Sequence, residues 1–134
     1  MGRYDELARR AYETFLTEGA DAWIERFATP DFVWDMTPMG LGRYDGPEAF
    51  RAFFDEWISS FGHWSMEPAE PEEIGDGVVV TAVRQGGTMH GSEHSVELRF
   101  AQLGVWEGAR LKRMVNYPEL EEARAAAAEL VAGG

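Results

Sequence analysis

The sequence predicts an α+β protein in which a cone-shaped, curved antiparallel sheet is wrapped on three N-terminal helices and followed by a C-terminal helix. Three observations predict this class: apolar residues at helical spacing before residue 62, alternation with a period of two from residue 63, and an alanine-rich tail. A curved sheet packed on helices leaves room for a cavity between them. The length of 134 residues predicts a single domain over residues 1–134.

The first two helices are predicted from amphipathic spacing. Apolar residues from Tyr4 to Leu16 recur at i, i+3, i+4 and i+7, and Gly19 is a typical residue at a helix end. A second, shorter helix carries Trp23 and Phe27 on one side. Pro30 predicts its end, because the residue before a proline disfavours helical geometry.

A short strand over residues 31–36 follows, with one carboxylate, Asp35, among large apolar residues. A buried carboxylate is costly unless it has a partner or a role, so Asp35 is a candidate pocket residue. A loop rich in glycine and proline covers residues 37–47. Capped by Asp45 or Gly46, a third helix then presents a continuous apolar stripe to residue 61.

The rest of the chain is predicted as strands joined by tight turns, and then a helix. The prolines and glutamates of residues 67–73 are typical of an edge strand, and Gly86-Gly87 is expected to bend or end the strand that contains it. After the edge strand, which begins at His63, the predicted strands cover residues 78–84, 96–106 and 110–117, and the tail helix runs from Pro118 to about Val131.

Composition excludes several classes of function. The absence of cysteine excludes disulfides, thiolate catalysis and cysteine-ligated metals. A net charge of −12 argues against binding to nucleic acid or to anionic membrane surfaces. The chain start lacks a signal-peptide pattern and no apolar run is long enough to cross a membrane, so a cytoplasmic location is expected.

Two segments carry a resemblance to a known family. Arg10–Gly19 resembles the first helix of ketosteroid isomerase, with a tyrosine seven residues before a glycine. Phe32–Asp35, followed by the loop and Tyr44–Phe50, resembles the strand that carries the general base of that enzyme. The element order also matches, and the chain is identified as a member of the nuclear transport factor 2-like superfamily, in its SnoaL-like and ketosteroid isomerase-like branch.

The resemblance implies the cone-shaped α-β barrel of the SnoaL-like kind, with a pocket between the helices and the sheet, and a homodimer. It also implies that Asp35 moves a proton α to a carbonyl group and that Tyr12 donates a hydrogen bond to the enolate oxygen. In the isomerase a protonated acid on a later strand donates a second bond. That position falls on Ala101 here, and Glu97 lies four residues earlier on the same face.

Asp35 and Tyr12 each have an alternative interpretation. Partial desolvation beside Val33 and Trp34 would raise the pKa of Asp35 toward the range of a general base. Alternatively, Asp35 caps the following loop or pairs with Arg43. Tyr12 is either a pocket donor or a core tyrosine.

Further candidates for ligand binding come from the helices, the loop, and the predicted strand over residues 96–106 with the turn before it. Phe15, Phe54 and Trp57 either line an apolar pocket or belong to the core. Met39 and Leu41 are candidates for a mobile lid. The remaining candidates are Glu97 and Arg99, which line the pocket or lie on the outer face, and His94, which is a pocket acid or base or a solvated loop residue.

No cofactor and no metal are expected. His90 and His94 flank a turn with poor spacing for a metal site, and the third histidine is distant in sequence. Nucleophile-elbow, phosphate-loop and dinucleotide motifs do not occur. Arg84 and Arg99 also lack the nearby aspartate that an epoxide hydrolase site of the limonene type would need.

Two functional hypotheses remain. In the first, the protein is an isomerase- or cyclase-type enzyme that binds a small apolar, carbonyl-bearing molecule and uses Asp35 as the base. In the second, it is a non-catalytic ligand-binding or dimerisation module on the same fold.

Overall fold

The computed structural model describes residues 3–133. Met1, Gly2 and Gly134, which the single-domain prediction included, lie outside the described residues. The elements in chain order are α1 (Arg3–Glu18), α2 (Ala20–Phe27), β1 (Ala28–Asp35), a 3-10 turn (Thr37–Met39), β2 (Arg43–Asp45), α3 (Pro47–Ser59), β3 (Phe61–Pro68), β4 (Glu72–Gly75), β5 (Val78–Met89), β6 (Ser95–Glu107), β7 (Arg110–Tyr117) and α4 (Leu120–Gly133).

The strands form one seven-stranded sheet in the order β2-β1-β7-β6-β5-β3, with β4 also paired to β5. The predicted fold class is confirmed: three N-terminal helices and one C-terminal helix accompany a curved open sheet, with β1 and β2 placed between α2 and α3 in the chain. One pairing differs from the expectation, because β1 and β7 run parallel and the sheet is therefore mixed. The last strand thus returns beside the first, and this places the ends of β1 and β7 together.

Glycine sets the entry to two helices. Gly19 separates α1 from α2 with φ +96°, and Gly46 precedes Pro47 at the start of α3 with φ +95°. Residues with a Cβ atom rarely adopt a positive φ of this size, so these positions favour glycine. Of the two caps predicted for α3, the structure has Gly46.

Gly86-Gly87 does not end its strand. β5 continues to Met89, and Gly87 pairs with Trp64 of β3. A Cβ atom on Gly87 would lie 2.2 Å from the carbonyl oxygen of His63. Glycine at this position therefore permits a close approach of the β3 backbone. The prediction that the glycine pair ends the strand did not anticipate this approach.

Two clusters of buried residues lie on opposite faces of the sheet. The first joins α1 and α2 to one face and includes Trp23, Phe32 and Phe50. The second lies under α4, where Ala123 and Ala127 pack with no exposed surface. Their spacing of four residues puts both small side chains on one helix face, so α4 lies flat against the sheet.

The period of two in β6 assigns its side chains to these faces. Phe100 and Gln102 point toward the helices, whereas Ala101 and Leu103 pack in the cluster under α4. Within residues 3–133, no helix has the length and apolarity needed to span a membrane. The structure contains one copy of the chain, and the homodimer stays a prediction.

Candidate functional site

A cavity of about 190 Å³ lies between the N-terminal helices and the concave face of the sheet. Its wall is mainly aromatic and aliphatic, with a few neutral polar groups. Among the described residues, no carboxylate, imidazole, ammonium or guanidinium group lines it. The lining residues are Tyr12, Phe15, Trp23, Trp34, Met36, Met39, Leu41, Gly42, Tyr44, Phe50, Phe53, Phe54, Trp57, Trp64, Met66, Gln85, Leu98, Phe100, Gln102, Met114 and Asn116.

Six of the ten candidate site residues lie on this wall, and four do not. The six are Tyr12, Phe15, Met39, Leu41, Phe54 and Trp57. Asp35, His94, Glu97 and Arg99 lie elsewhere. The cavity is thus built from the apolar candidates and one tyrosine, and the ionisable candidates are outside it.

Aromatic rings pack edge to face around the cavity. The rings of Phe15 and Phe54 are 4.8 Å apart, and those of Phe54 and Trp64 are 5.7 Å apart. Phe15 also contacts Trp23 of the core at 6.0 Å. Such contacts hold the rings in defined positions, and the same side chains therefore serve both the core and the cavity wall.

Gln85 fixes two of these aromatic side chains. Its Oε1 accepts hydrogen bonds from the indole N–H of Trp57 at 2.5 Å and from that of Trp64 at 2.6 Å. One amide oxygen thus satisfies two donors from α3 and β3. This arrangement ties the helix to the sheet on one side of the cavity.

Tyr12 donates a hydrogen bond to Oε1 of Gln102 at 2.5 Å. Burial raises the pKa of the Tyr12 hydroxyl, although a hydrogen bond with Thr81 opposes the shift. Tyr12 is consequently a neutral group in the cavity. Gln102 is 4% exposed, and its amide nitrogen remains available as a donor.

The position that the resemblance assigned to Ala101 belongs to the other face of the sheet. Ala101 is fully buried under α4, and its neighbour Gln102 faces Tyr12. Glu97 shares the face of Ala101 and therefore does not supply the missing acid. The partner of Tyr12 on β6 is an amide rather than a carboxylic acid.

Two buried polar atoms at the inner end of the cavity wall have no hydrogen-bond partner within residues 3–133. They are the indole nitrogen of Trp34 and the carbonyl oxygen of the Asn116 side chain. Asn116 is 3% exposed, and it pairs across β6 and β7 with Gln102. None of Trp34, Gln102 and Asn116 was among the predicted site residues.

Asp35 lies outside the cavity, which corrects the expectation that it points inward. Its Oδ1 accepts hydrogen bonds from the backbone N–H of Thr37 at 2.9 Å and from the Thr37 hydroxyl at 2.7 Å. Its Oδ2 lies 3.5 Å from Arg113 Nη2. Asp35 therefore caps the following loop, as its alternative interpretation held, because the neighbouring side chain of Trp34 takes the inward direction.

The pKa of Asp35 also differs from the expectation. Burial acts to raise the pKa of this carboxyl, but the hydrogen bonds from Thr37 and the charge of Arg113 outweigh burial and lower it below its usual value. Asp35 is thus a stable carboxylate at neutral pH rather than a group prepared to exchange a proton.

The other ionisable candidates are exposed. Arg99 Nε donates to Glu97 Oε1 at 3.0 Å on the outer face of β6, so these two residues form a surface pair and do not line the cavity. His94 is exposed in the turn between β5 and β6, where its backbone N–H donates to the Ser92 hydroxyl. This turn lies away from the cavity lining.

The loop after β1 forms part of the cavity mouth. The backbone N–H groups of Met39 and Leu41 both donate to the carbonyl oxygen of Met36, and that of Met36 donates to Gly42. Leu41 is 53% exposed and Leu98, on β6, is 36% exposed. These two side chains mark the entrance, whereas Gln102 and Asn116 lie at the closed end.

The described residues contain no group of three or more histidine, aspartate or glutamate side chains that could hold a metal ion. Among the described residues, the cavity wall offers neutral amides, indole N–H groups and phenols but no carboxylate, so a cation bound there would lack a counter-charge. The arrangement can bind neutral polar groups by hydrogen bonds and can enclose apolar groups.

The fold is the one seen in nuclear transport factor 2-like and ketosteroid isomerase-like structures. A family model for the SnoaL-like domain matches residues 8–114, and the chain belongs to this family. The predicted superfamily and branch are confirmed. No curated protein sequence matches the chain.

Several solved structures share the fold. TerC, co-crystallised with polyporic acid, has 17% sequence identity and a TM-score of 0.71, and the alignment covers 96% of this chain and 97% of that one. A nuclear transport factor 2-like protein of unknown function from Burkholderia pseudomallei has 22% identity, a TM-score of 0.72 and coverage of 91% and 95%. A candidate SnoaL-like polyketide cyclase from a Jannaschia species has 16% identity, a TM-score of 0.72 and coverage of 95% of each chain. At these identities the likeness concerns the fold.

Proposed function

We propose that the protein binds a neutral, predominantly apolar small molecule in the cavity between the helices and the sheet. The observation that carries this proposal is the composition of the cavity wall, which is aromatic and aliphatic with no charged group among the described residues. Burial of an apolar ligand against such a wall is favourable, and burial of an ion without a counter-charge is costly.

The cavity volume indicates the size of the enclosed part of the ligand. A dry protein cavity of about 150 Å³ holds benzene, and the cavity here is about 190 Å³. An aromatic group of one or two fused rings is therefore the expected size. Longer ligands would extend past Leu41 and Leu98 at the mouth.

Naphthalene and 2-naphthoate form a matched pair of probes, because they share the ring system and differ in charge at neutral pH. The readout is the NMR resonance of each tryptophan indole N–H. Naphthalene is expected to shift the resonances of Trp34, Trp57 and Trp64, which line the cavity, and to leave that of Trp106 in place. Unshifted cavity resonances, or equal affinity for both probes, would contradict the proposal.

Two neighbouring substitutions on β6 provide a control for the location. Leu98→Glu places a charge on the cavity wall, and Arg99→Glu places the same charge on the outer face. Naphthalene affinity is expected to fall by about tenfold or more in the Leu98 variant and to stay unchanged in the Arg99 variant. Equal affinities in both variants would place the binding site elsewhere.

An isomerase- or cyclase-type enzyme acting on a carbonyl-bearing ligand is the second candidate. The observation that favours it is the Tyr12–Gln102 pair, whose amide nitrogen could donate to a carbonyl oxygen at the closed end. Because no carboxylate or imidazole among the described residues lines the cavity, solvent water or hydroxide would take the α-proton while the Gln102 amide stabilises the enolate oxygen.

A neutral bicyclic ketone, 2-tetralone, tests this second candidate. Protein-dependent exchange of its α-hydrogens in deuterated water, followed by NMR, would support an enzymatic role. Tyr12→Phe should then slow the exchange, and Asp35→Asn should leave it unchanged. Exchange no faster than in buffer would leave ligand binding as the function.

A further inference from the structure

Asn116 and Trp34 carry buried polar atoms that have no hydrogen-bond partner within residues 3–133. A buried acceptor or donor without a hydrogen bond costs free energy, and such groups are rare in folded proteins. Here one acceptor, Asn116 Oδ1, and one donor, Trp34 Nε1, occur together on residues that line one cavity. A single ligand group that both donates and accepts a hydrogen bond would pair with both atoms.

The sheet places these two side chains next to each other. Trp34 of β1 pairs in parallel register with Met114 of β7, and Asn116 is two residues further along β7. The period of two puts all three side chains on the cavity face. Asn116 also lies directly opposite Gln102 of β6, whose amide nitrogen has no side-chain acceptor among the described residues.

Two other polar side chains of the cavity wall already have partners. Gln85 uses its oxygen on Trp57 and Trp64, and Tyr12 uses its hydrogen on Gln102. Within residues 3–133, the fully buried side-chain atoms without a partner are those of Trp34 and Asn116. Apart from these atoms, the groups just described, the Tyr44 hydroxyl and the Trp23 indole, the wall as far as the mouth at Leu41 and Leu98 is mainly apolar.

We propose that the ligand carries a neutral hydroxyl group, phenolic or alcoholic, at its inner end, and that Asn116 and Trp34 recognise this group. The hydroxyl oxygen accepts a hydrogen bond from the Trp34 indole N–H, and the hydroxyl hydrogen is donated to Asn116 Oδ1. This inference rests on the proposed binding of an apolar ligand in the same cavity. It adds the chemical class of the ligand and the direction in which it enters.

Other head groups satisfy this site less well. A carbonyl or ether oxygen accepts from Trp34 and leaves the Asn116 oxygen unpaired. A carboxylate would be buried without a cation, and an ammonium group without an anion, because no charged side chain among residues 3–133 lines the cavity. A hydroxyl group is both donor and acceptor, and it matches both unpaired atoms at once.

The contribution of the ligand hydroxyl group to affinity can be measured with three probes that share one ring system: naphthalene, 2-methoxynaphthalene and 2-naphthol. The methoxy group accepts a hydrogen bond but donates none. We expect the wild-type protein to bind 2-naphthol about tenfold more tightly than 2-methoxynaphthalene, as measured by titration of the indole N–H resonances. The largest shift on binding of 2-naphthol is expected for Trp34.

Two substitutions remove the recognising atoms separately. Asn116→Leu keeps the side-chain size and deletes the acceptor, so the preference for 2-naphthol over 2-methoxynaphthalene should disappear. Trp34→Phe keeps an aromatic wall and deletes the donor, so both oxygen-bearing probes should lose affinity relative to naphthalene. Because each comparison is a ratio within one variant, a general loss of stability cancels.

Tyr117→Phe is the matched control. Tyr117 follows Asn116 on β7, but it packs on the face under α4 and does not line the cavity. Its substitution removes one hydroxyl from the same strand and should leave all three affinities in the wild-type order. A change of the probe ratio in this control would mean that the ratio does not report on the cavity.

The outcomes separate this inference from the proposed function. Binding of all three probes with equal affinity, unchanged by Asn116→Leu, would overturn hydroxyl recognition and leave apolar binding in place. Failure of naphthalene itself to bind would overturn the proposed function. A wild-type preference for 2-naphthol that Asn116→Leu abolishes, together with weaker binding of both oxygen-bearing probes relative to naphthalene in Trp34→Phe, would support both.

Discussion

Asp35 and Thr37 are joined by two hydrogen bonds to one carboxylate oxygen, Asp35 Oδ1, from the backbone N–H and from the hydroxyl of Thr37. This pair closes the start of the loop that carries Met39 and Leu41 to the cavity mouth. The residue that the resemblance marked as a general base is in this chain a structural cap. Substitutions of Asp35 should therefore mainly change the free energy of unfolding.

Asp35→Ala is expected to lower the free energy of unfolding by about 1–3 kcal/mol, because the Thr37 donors lose a charged acceptor in a buried setting. Asp35→Asn retains an acceptor oxygen and should cost less. Urea unfolding at neutral pH measures both values. An Ala variant as stable as the wild type would show that the cap contributes nothing to folding.

The lowered pKa of Asp35 gives this contribution a pH dependence. In the unfolded chain an aspartate titrates near pH 3.9, and in the folded protein it titrates lower. The unfolded state thus binds more protons in this window, so the stabilisation is present above about pH 4 and is lost as the pH falls through the folded pKa. The stability difference between wild type and Asp35→Asn should shrink from pH 6 to pH 3. A difference independent of pH would contradict the assigned hydrogen bonds.

Phe54 belongs to both the core and the cavity wall, and its truncation should reflect this. If Phe54 were wholly core, Phe54→Ala would cost about 3–5 kcal/mol. Since part of its ring faces the cavity, we expect a loss of about 2 kcal/mol together with weaker naphthalene binding. Phe32, which is 0% exposed, is the comparison: Phe32→Ala should cost the full amount. Equal losses in both variants would assign Phe54 to the core alone.

Gln85 satisfies two indole donors with one oxygen, and its replacement should affect both. Gln85→Leu is expected to destabilise the protein by about 1–3 kcal/mol, because the N–H groups of Trp57 and Trp64 lose their acceptor. The two indole resonances should shift together, and that of Trp106 should stay in place. A shift of one resonance alone would mean that the two tryptophans do not share Gln85.

The free protein should gain stability when its unpaired acceptor is removed. Asn116→Leu replaces a buried unsatisfied amide with an apolar side chain of similar size and is expected to add about 1 kcal/mol to the free energy of unfolding. Gln102→Leu removes an amide that Tyr12 uses and should destabilise instead. Thermal unfolding of both variants without ligand checks the opposite signs. Destabilisation of equal size in both would indicate that Asn116 has a partner in the free protein.

Much of the fold follows from local patterns. The amphipathic spacing of α1, the break at Gly19 and the strand over Arg110–Tyr117 agree with the structure, because helix and strand periods are properties of the local sequence. The glycine pair in β5 was the exception. A Cβ atom on Gly87 would lie 2.2 Å from the backbone of β3. Because β3 is distant from Gly87 in sequence, the residues around Gly87 do not reveal this close approach.

The candidate site was predictable only where its residues are apolar. Phe15, Phe54 and Trp57 are large side chains on the inner helix faces, so a cavity bounded by those faces includes them. The sequence around Gln102 and Asn116 does not indicate that these two polar side chains are buried. They become neighbours because β6 and β7 pair in one register, and a shift by one residue would turn both to the opposite face.

The sequence by itself determined the four helices, the longer strands and the family, but it did not predict β2 or the division of the edge strand into β3 and β4. Only the tertiary structure decided that Trp34 faces the cavity and Asp35 faces away. The physical reason is that β1 has apolar residues on both faces, with Trp34 on one and Val33 beside Asp35 on the other, so its alternation separates Trp34 from Asp35 without indicating which face meets the helices. That choice depends on the parallel pairing of β1 with β7, which places Trp34 beside Met114 and Asp35 within reach of Arg113.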